Sequence, residues 1–342
     1  MTSFGEKVVI YGPAFPMNLT PLWVAHDKGF FREEGLDVSL EGVLGIPDAE
    51  HPRHQWRKEG KVVFASPGGS PMFRSVREKR GPEDSDINVI SIADRTAHVF
   101  VAQPHIEDPS QLKGKRLGAD RKGGSSIDAT IVLRHFGVDP DHVTWVDSRG
   151  KPPDTERYRL ALFEKGELDA VCCDPPHWNI AVRMGGHRLT SARDLHVLPE
   201  AGLSTTIDVI EQNPELVLAM VRATLRGAEF ARLNREETIE CVLRHQIHIT
   251  HELAEIAWEE DHNDWGPVLE ISAYQRKVGI YTREWNLPEY PVAKYYRFDF
   301  LKQALGELKL LRSWDPALDT SDAKLTARHG IEERAHGDKR GE

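Results

Sequence analysis

The sequence predicts an α/β fold, and three observations carry that prediction. The chain has 342 residues, enough for one large domain or for two lobes that each bury a core. The apolar run Lys7-Val8-Val9-Ile10-Tyr11 reads as a central parallel strand, with a helix and a second strand after it. The stretch from Leu112 to Val138 reads as a strand, a glycine loop and a helix N-terminus, the arrangement in which a parallel strand hands the chain to its crossover helix.

The elements follow in order. After the loop Gly12 to Pro16, Thr20 is expected to cap a helix, Pro21 suits its first turn, and Gly29 ends it. Gly35 to Leu40 alternates as a second strand. Lys61 to Ala65 is a strand that opens into Ser66-Pro67-Gly68-Gly69-Ser70-Pro71, where backbone N–H groups can face a ligand. Ile87 to Ala93 is a further strand, followed by Arg95 and His98. Arg95 is either a bidentate carboxylate or sulfonate clamp or a surface partner of Asp94. Within Leu112 to Val138, Gly123 and Gly124 let backbone approach a ligand closely. Ser125 or Ser126 can cap the helix, Asp128 stands at capping-box spacing from Ser125, and Gly137 suits a left-handed C-cap. Such a helix start attracts a carboxylate, sulfonate or phosphate. An ordinary strand-to-helix turn with solvated Lys and Arg is the alternative.

Val143 to Val146 and Ala170 to Cys173 are strands, with a polar loop from Ser148 to Arg157 between them. Asp174-Pro175-Pro176-His177-Trp178-Asn179 leaves the second strand. Asn213 is expected to cap a long helix from Pro214 to Leu233, and Glu236 to Ile249 continues helical. The region His245 to His262 is rich in His, Glu and Asp. It reads as a solvated, pH-sensitive face, with a divalent-metal site as the alternative, since His248 and Glu252 are one turn apart. Phe298 to Leu311 is an amphipathic helix. Residues 321–342 are charged, poor in apolar groups and expected to be disordered.

Three segments carry a family resemblance. They are Pro21 to Val43 ("PLWVAHDKGFFREEGLDVSLEGV"), Asp108 to Lys115, and Leu160 to Ala170. In order and spacing they resemble the sulfonate/nitrate/thiamine-precursor group of periplasmic binding proteins, the SsuA/THI5-like or NMT1-like family. The resemblance implies a type II periplasmic-binding-protein-like fold with two crossover segments and a ligand cleft between two lobes. Residues 1–98 with 204–320 would form lobe 1 and residues 99–203 lobe 2. It also implies that the strand end before Asp174 faces the cleft. The candidate ligand-binding residues are then Asn18, Ser66, Gly69, Ser70, Arg95, His98, Gly124, Ser125, Ser126, Asp174, His177 and Trp178.

The expected function is a binding protein for a small anionic or heteroaromatic ligand, with an ABC permease as a possible partner. The alternative is a cytosolic enzyme on the same fold, an aromatic decarboxylase or desulfinase, with His177 as proton donor because imidazole titrates near neutrality. The related desulfinase uses a cysteine in its first strand-to-helix loop, and Gly12 to Leu19 holds none. No cofactor is implied, and the spacing of Cys172, Cys173 and Cys241 gives neither a disulfide framework nor a four-ligand zinc motif. The formal net charge of −10 argues against a nucleic-acid partner. No apolar run is long enough for membrane insertion. The first residues lack the pattern of a signal peptide, which points to the cytoplasm, or to the periplasm if the N-terminus was trimmed or misassigned.

Overall fold

The computed structural model describes residues 4–12, 17–43, 48–66, 78, 86–93, 98–119, 124–148, 151–196, 198–246, 248–288 and 291–309. Strand β1 (Lys7–Gly12) leads through α1 (Thr20–Asp27) and α2 (Phe30–Glu33) to β2 (Asp37–Gly42). Then come α3 (Arg53–Lys58), β3 (Val62–Ala65), β4 (Asp86–Ile90), β5 (Val99–Ala102), β6 (Arg116–Gly118) and α4 (Gly124–His135). They are followed by β7 (Thr144–Val146), α5 (Thr155–Glu164), β8 (Ala170–Cys173), α6 (His177–Arg183), β9 (His187–Ser191) and β10 (Leu203–Thr206). The chain continues through α7 (Ile207–Gln212), α8 (Pro214–Leu233), α9 (Arg235–His245), α10 (His251–Asp261), α11 (Ile271–Glu284) and α12 (Phe298–Glu307).

Two five-stranded sheets form, in the orders β2-β1-β3-β10-β4 and β7-β6-β8-β5-β9. In the first, β1 pairs in parallel with β2 and with β3, while β10 runs antiparallel to β3 and β4. In the second, β6 is parallel to β7 and β8, and β5 is antiparallel to β8 and β9. The chain leaves the first sheet after β4, builds the whole second sheet, and returns at β10. The α/β reading and the expected double crossing therefore hold. Strand β10 was not legible as a strand. Its Leu-Ser-Thr-Thr sequence is polar but fully buried, because Thr205 Oγ1 donates to Val63 O at 2.8 Å.

Helix α8 backs the first sheet. Its Leu216, Val217, Met220, Val221, Leu225 and Ala228 join Val8, Ile10, Phe64 and Trp23 in one buried cluster. Gly227 sits where α8 meets α1: a Cβ there would lie 2.2 Å from Pro21 O and 2.8 Å from Ala25 Cβ. Two capping expectations fail. Thr20 is the first residue of α1, behind Leu19, and Asn213 precedes α8 without a side-chain capping bond. Each helix starts as expected with Pro in its first turn, where a missing N–H costs nothing. Ser125 and Ser126 lie inside the first turn of α4 rather than ahead of it. Gly29 and Gly137 both take positive φ, at 78° and 74°, as helix-ending glycines do.

The second sheet has its own clusters. Phe100, Leu117, Ile127, Leu133 and Leu198 pack with Tyr274, Val278 and Tyr281 of α11. An Arg134–Glu284 ion pair at 2.8 Å adds to that packing. The expected lobe 1 span of 204–320 thus contains one helix whose buried side belongs to the second sheet. The expected tail, residues 321–342, lies outside the described residues.

Candidate functional site

The carboxyl ends of β3 and β8 and the start of α4 carry most of the described candidates. Register places the first pair. Val99 opposes Cys173 across β5 and β8, so the residue before one strand, His98, meets the residue after the other, Asp174. His98 Nε2 lies 3.3 Å from Asp174 Oδ1, and His98 Nδ1 lies 2.5 Å from Asp128 Oδ2 on α4. Val99 also opposes Ser191 of β9, whose hydroxyl donates to His98 O at 2.5 Å. Burial alone would lower the His98 pKa, but Asp174 and Asp128 outweigh it and raise it to about 10. His98 is therefore a fixed imidazolium that donates from both nitrogens.

A buried arginine extends this network. Arg159 of α5 is 1% exposed. Its Nη1 donates to Cys172 O at 2.7 Å and to Glu156 Oε1 at 2.8 Å, and its Nε donates to Ser148 Oγ at 2.7 Å. Its Nη2 reaches Ser125 Oγ at 3.4 Å. Burial raises the Glu156 carboxyl to about 7, with Arg159 opposing and Asp174 adding to the rise. The cations are matched by Asp128, Asp174 and Glu156, so the network is a rigid, charge-compensated floor rather than a bare anion trap.

His177 opens α6 and is 3% exposed. Its Nε2 lies 3.2 Å from Nε2 of His248, with the rings stacked at 5.4 Å. Burial and then His248 hold the His177 pKa down at about 3, against the pull of Asp154. Burial and the neighbouring imidazole thus favour its neutral form. His248, expected on a solvated face, instead joins the segment after α9 to α6. Arg183 Nη2 to Glu252 Oε1 at 2.7 Å and Asn179 Nδ2 to Glu260 Oε1 at 3.3 Å tie α6 to α10 as well.

The first sheet contributes Ser66 and an aromatic group. Ser66 Oγ donates to Gly202 O at 2.9 Å, which ties the end of β3 to the return crossing. Gly202 has φ of 90°, and a Cβ there would lie 2.0 Å from Ile90 O, so only glycine fits. At the carboxyl end of β1, the Tyr11 ring meets His51 edge-on at 4.7 Å and lies 6.2 Å from Trp56.

The structure thus brings His98, Ser125 and Asp174 into one network and pairs His177 with His248. Ser66 stands apart on the other sheet, Ser126 is buried in the first turn of α4, and Trp178 packs beside Leu160 and Phe163. Gly69, Ser70 and Arg95 lie outside the described residues, as does the side chain of Asn18; Gly124 begins α4. Sequence reasoning missed Glu156, Arg159, Ser148, Tyr11, His51 and Trp56. It read Asp128 only as a capping residue. Tyr11 carried a signal, since an aromatic at the end of a central strand adjoins the ligand position of open α/β sheets.

Two mixed sheets that exchange the chain twice, with polar residues gathered at their carboxyl strand ends, define the two-lobed, type II periplasmic-binding-protein class. The chain belongs to the NMT1/THI5-like family, which residues 16–238 match. The curated relative YtlA of Bacillus subtilis (strain 168) is 31% identical over 123 residues, 35% of each chain. The riboflavin-binding protein RibY of Chloroflexus aurantiacus is 23% identical over 232 residues, 67% of this chain and 63% of RibY. The matches therefore span about a third and just under two thirds of those relatives. Among solved structures, the periplasmic nitrate-binding protein NrtA from Synechocystis PCC 6803 superposes with a TM-score of 0.69 at 15% identity, covering 91% of each chain. Among the described residues, no helix is long and apolar enough to cross a membrane.

Proposed function

We propose that this protein is a receptor that closes its two lobes over a small heteroaromatic ligand carrying an anionic group and presents it, chemically unchanged, to an ABC permease. The observation that carries the reading is the presence of ring side chains beside the carboxyl strand ends of both sheets. Tyr11, His51 and Trp56 stand at the first, and His177 and Trp178 at the second. Flat rings favour stacked or edge-on neighbours. The N-terminus of α4 offers N–H groups and positive potential to the anionic group. The lobes are built on residues 1–98 with 204–320 and on residues 99–203, with α11 of the former span packed against the second sheet.

RibY, by its name, binds riboflavin, which supports a heteroaromatic ligand. NrtA, by its name, binds nitrate in the periplasm, which supports an anionic group and an extracytoplasmic location over the cytosolic expectation. The neutral, buried His177 supports binding over chemistry.

The test is a thermal-shift screen against riboflavin, pyrimidines, aromatic carboxylates, sulfonates and nitrate, with mass analysis of the recovered compound. A ligand at about a hundred times its Kd stabilises the folded state by about 2.7 kcal/mol. A ring compound that raises Tm and returns unchanged is the expected outcome. A hit that returns lighter by carbon dioxide or sulfur dioxide would overturn the receptor reading.

A further inference from the structure

Away from the strand ends, the carboxyl termini of α1 and α9 converge. Asp27, the last residue of α1, faces Cys241 and His245, which lie one turn apart on α9. Cys241 Sγ is 3.3 Å from Asp27 Oδ2, and His245 Nε2 is 3.2 Å from Asp27 Oδ1. One ligand atom from each of the three residues lies within 4.8 Å of the others. The imidazole plane of His245 is fixed by stacking on Trp23, at 5.1 Å and 7°.

We propose that Asp27, Cys241 and His245 form a binding site for a thiophilic divalent cation of the zinc type. Zinc takes thiolate, imidazole and carboxylate ligands tetrahedrally. With ordinary bond lengths, such an ion holds S and O about 3.5 Å apart and N and O about 3.3 Å apart. The Cys241 and His245 separations, each to a different oxygen of Asp27, are close to these values. Two helix C-termini also point their negative ends at the same spot, which favours a cation. His26 Nδ1, 3.3 Å from Asp27 Oδ1, or water would complete the coordination.

Arg244 now holds Asp27, with Nη2 at 2.8 Å and Nε at 3.1 Å from Oδ2. Its side chain is 54% exposed, so it can turn into water when an ion takes its place. Binding converts the Cys241 thiol to a thiolate and releases one proton to solvent. The ion would clamp α1 to α9 through residues that belong to none of the candidate ligand-binding set, so the site stands independently of the receptor reading.

Cobalt(II) titration of the tag-free, chelator-treated full chain tests the site. The expected result is a thiolate-to-cobalt charge-transfer band that saturates near one equivalent and is displaced by zinc. C241S abolishes the band, while Cys172 and Cys173 remain buried elsewhere. H245Q weakens cobalt binding at least about tenfold, and R244Q strengthens it by removing the competing guanidinium. Should C241S fail to fold, H245Q and R244Q decide between the same outcomes. No charge-transfer band in the parent, a band that persists in folded C241S, or unaltered affinity in both H245Q and R244Q would overturn the site in favour of a hydrogen-bonded cluster.

Discussion

His177 and His98 are both buried histidines near one strand end, yet their charges differ because their neighbours differ. His98 faces two carboxylates and stays protonated. His177 faces another imidazole and stays neutral. The sign of the pH dependence follows. Burial and His248 hold the folded-state pKa of His177 at about 3, below the usual imidazole value of 6.5. Its neutral form therefore supports the fold fully above about pH 6.5, and that support is lost as pH falls toward 3. Glu156, with its raised pKa, works in the opposite direction, so the whole-protein profile is a mixture. The expectation is for a difference: as pH falls from 7.5 to 4.5, the Tm gap between parent and H177Q shifts in favour of H177Q. An unchanging gap in a pH series would show that His177 does not carry this coupling.

The helices and most of the strands were legible in this chain. Helix α8 shows its period-3.6 apolar stripe, its preceding Asn and its first-turn Pro, and it spans Pro214–Leu233 as expected. Strand β10 did not declare itself, because its buried Thr205 hydroxyl is satisfied by a partner 142 residues away. The charge network failed for the same reason. Asp128 read as a capping residue, Glu156 as part of a polar loop, and Arg159 carried no signal, because their partners come together only when β5 and β8 pair. The glycine positions give an element-scale prediction. G227A forces α8 away from α1 and costs about 1–3 kcal/mol, the usual penalty of overpacking. Gly279 on α11 has open space around its Cβ position, so G279A gains roughly 0.5–1 kcal/mol of helix propensity. Urea denaturation of the two variants should move their midpoints in opposite directions.

At the scale of the molecule, α6 and the segment after β9 are held against α10 and the residues that follow it by two unlike kinds of ion pair. Arg193, 13% exposed, lies 3.5 Å from Asp261 and also bonds Asp264, both largely buried. Arg183 and Glu252 form an exposed pair. Removing Arg193 leaves two carboxylates without their cation, so R193A is expected to cost about 3 kcal/mol or more. R183A should cost about 0–1 kcal/mol, since exposed pairs are worth little. Equal losses in urea titrations of both variants would refute this ranking.

The place of β10 between β3 and β4 has a consequence for synthesis. The first four strands leave the ribosome early, but the slot between two of them stays empty until the entire second sheet has been translated. The second sheet can assemble its strands while the first still exposes unpaired edges of β3 and β4. Birth order and folding order therefore run against each other: the part of the chain made first is the part completed last.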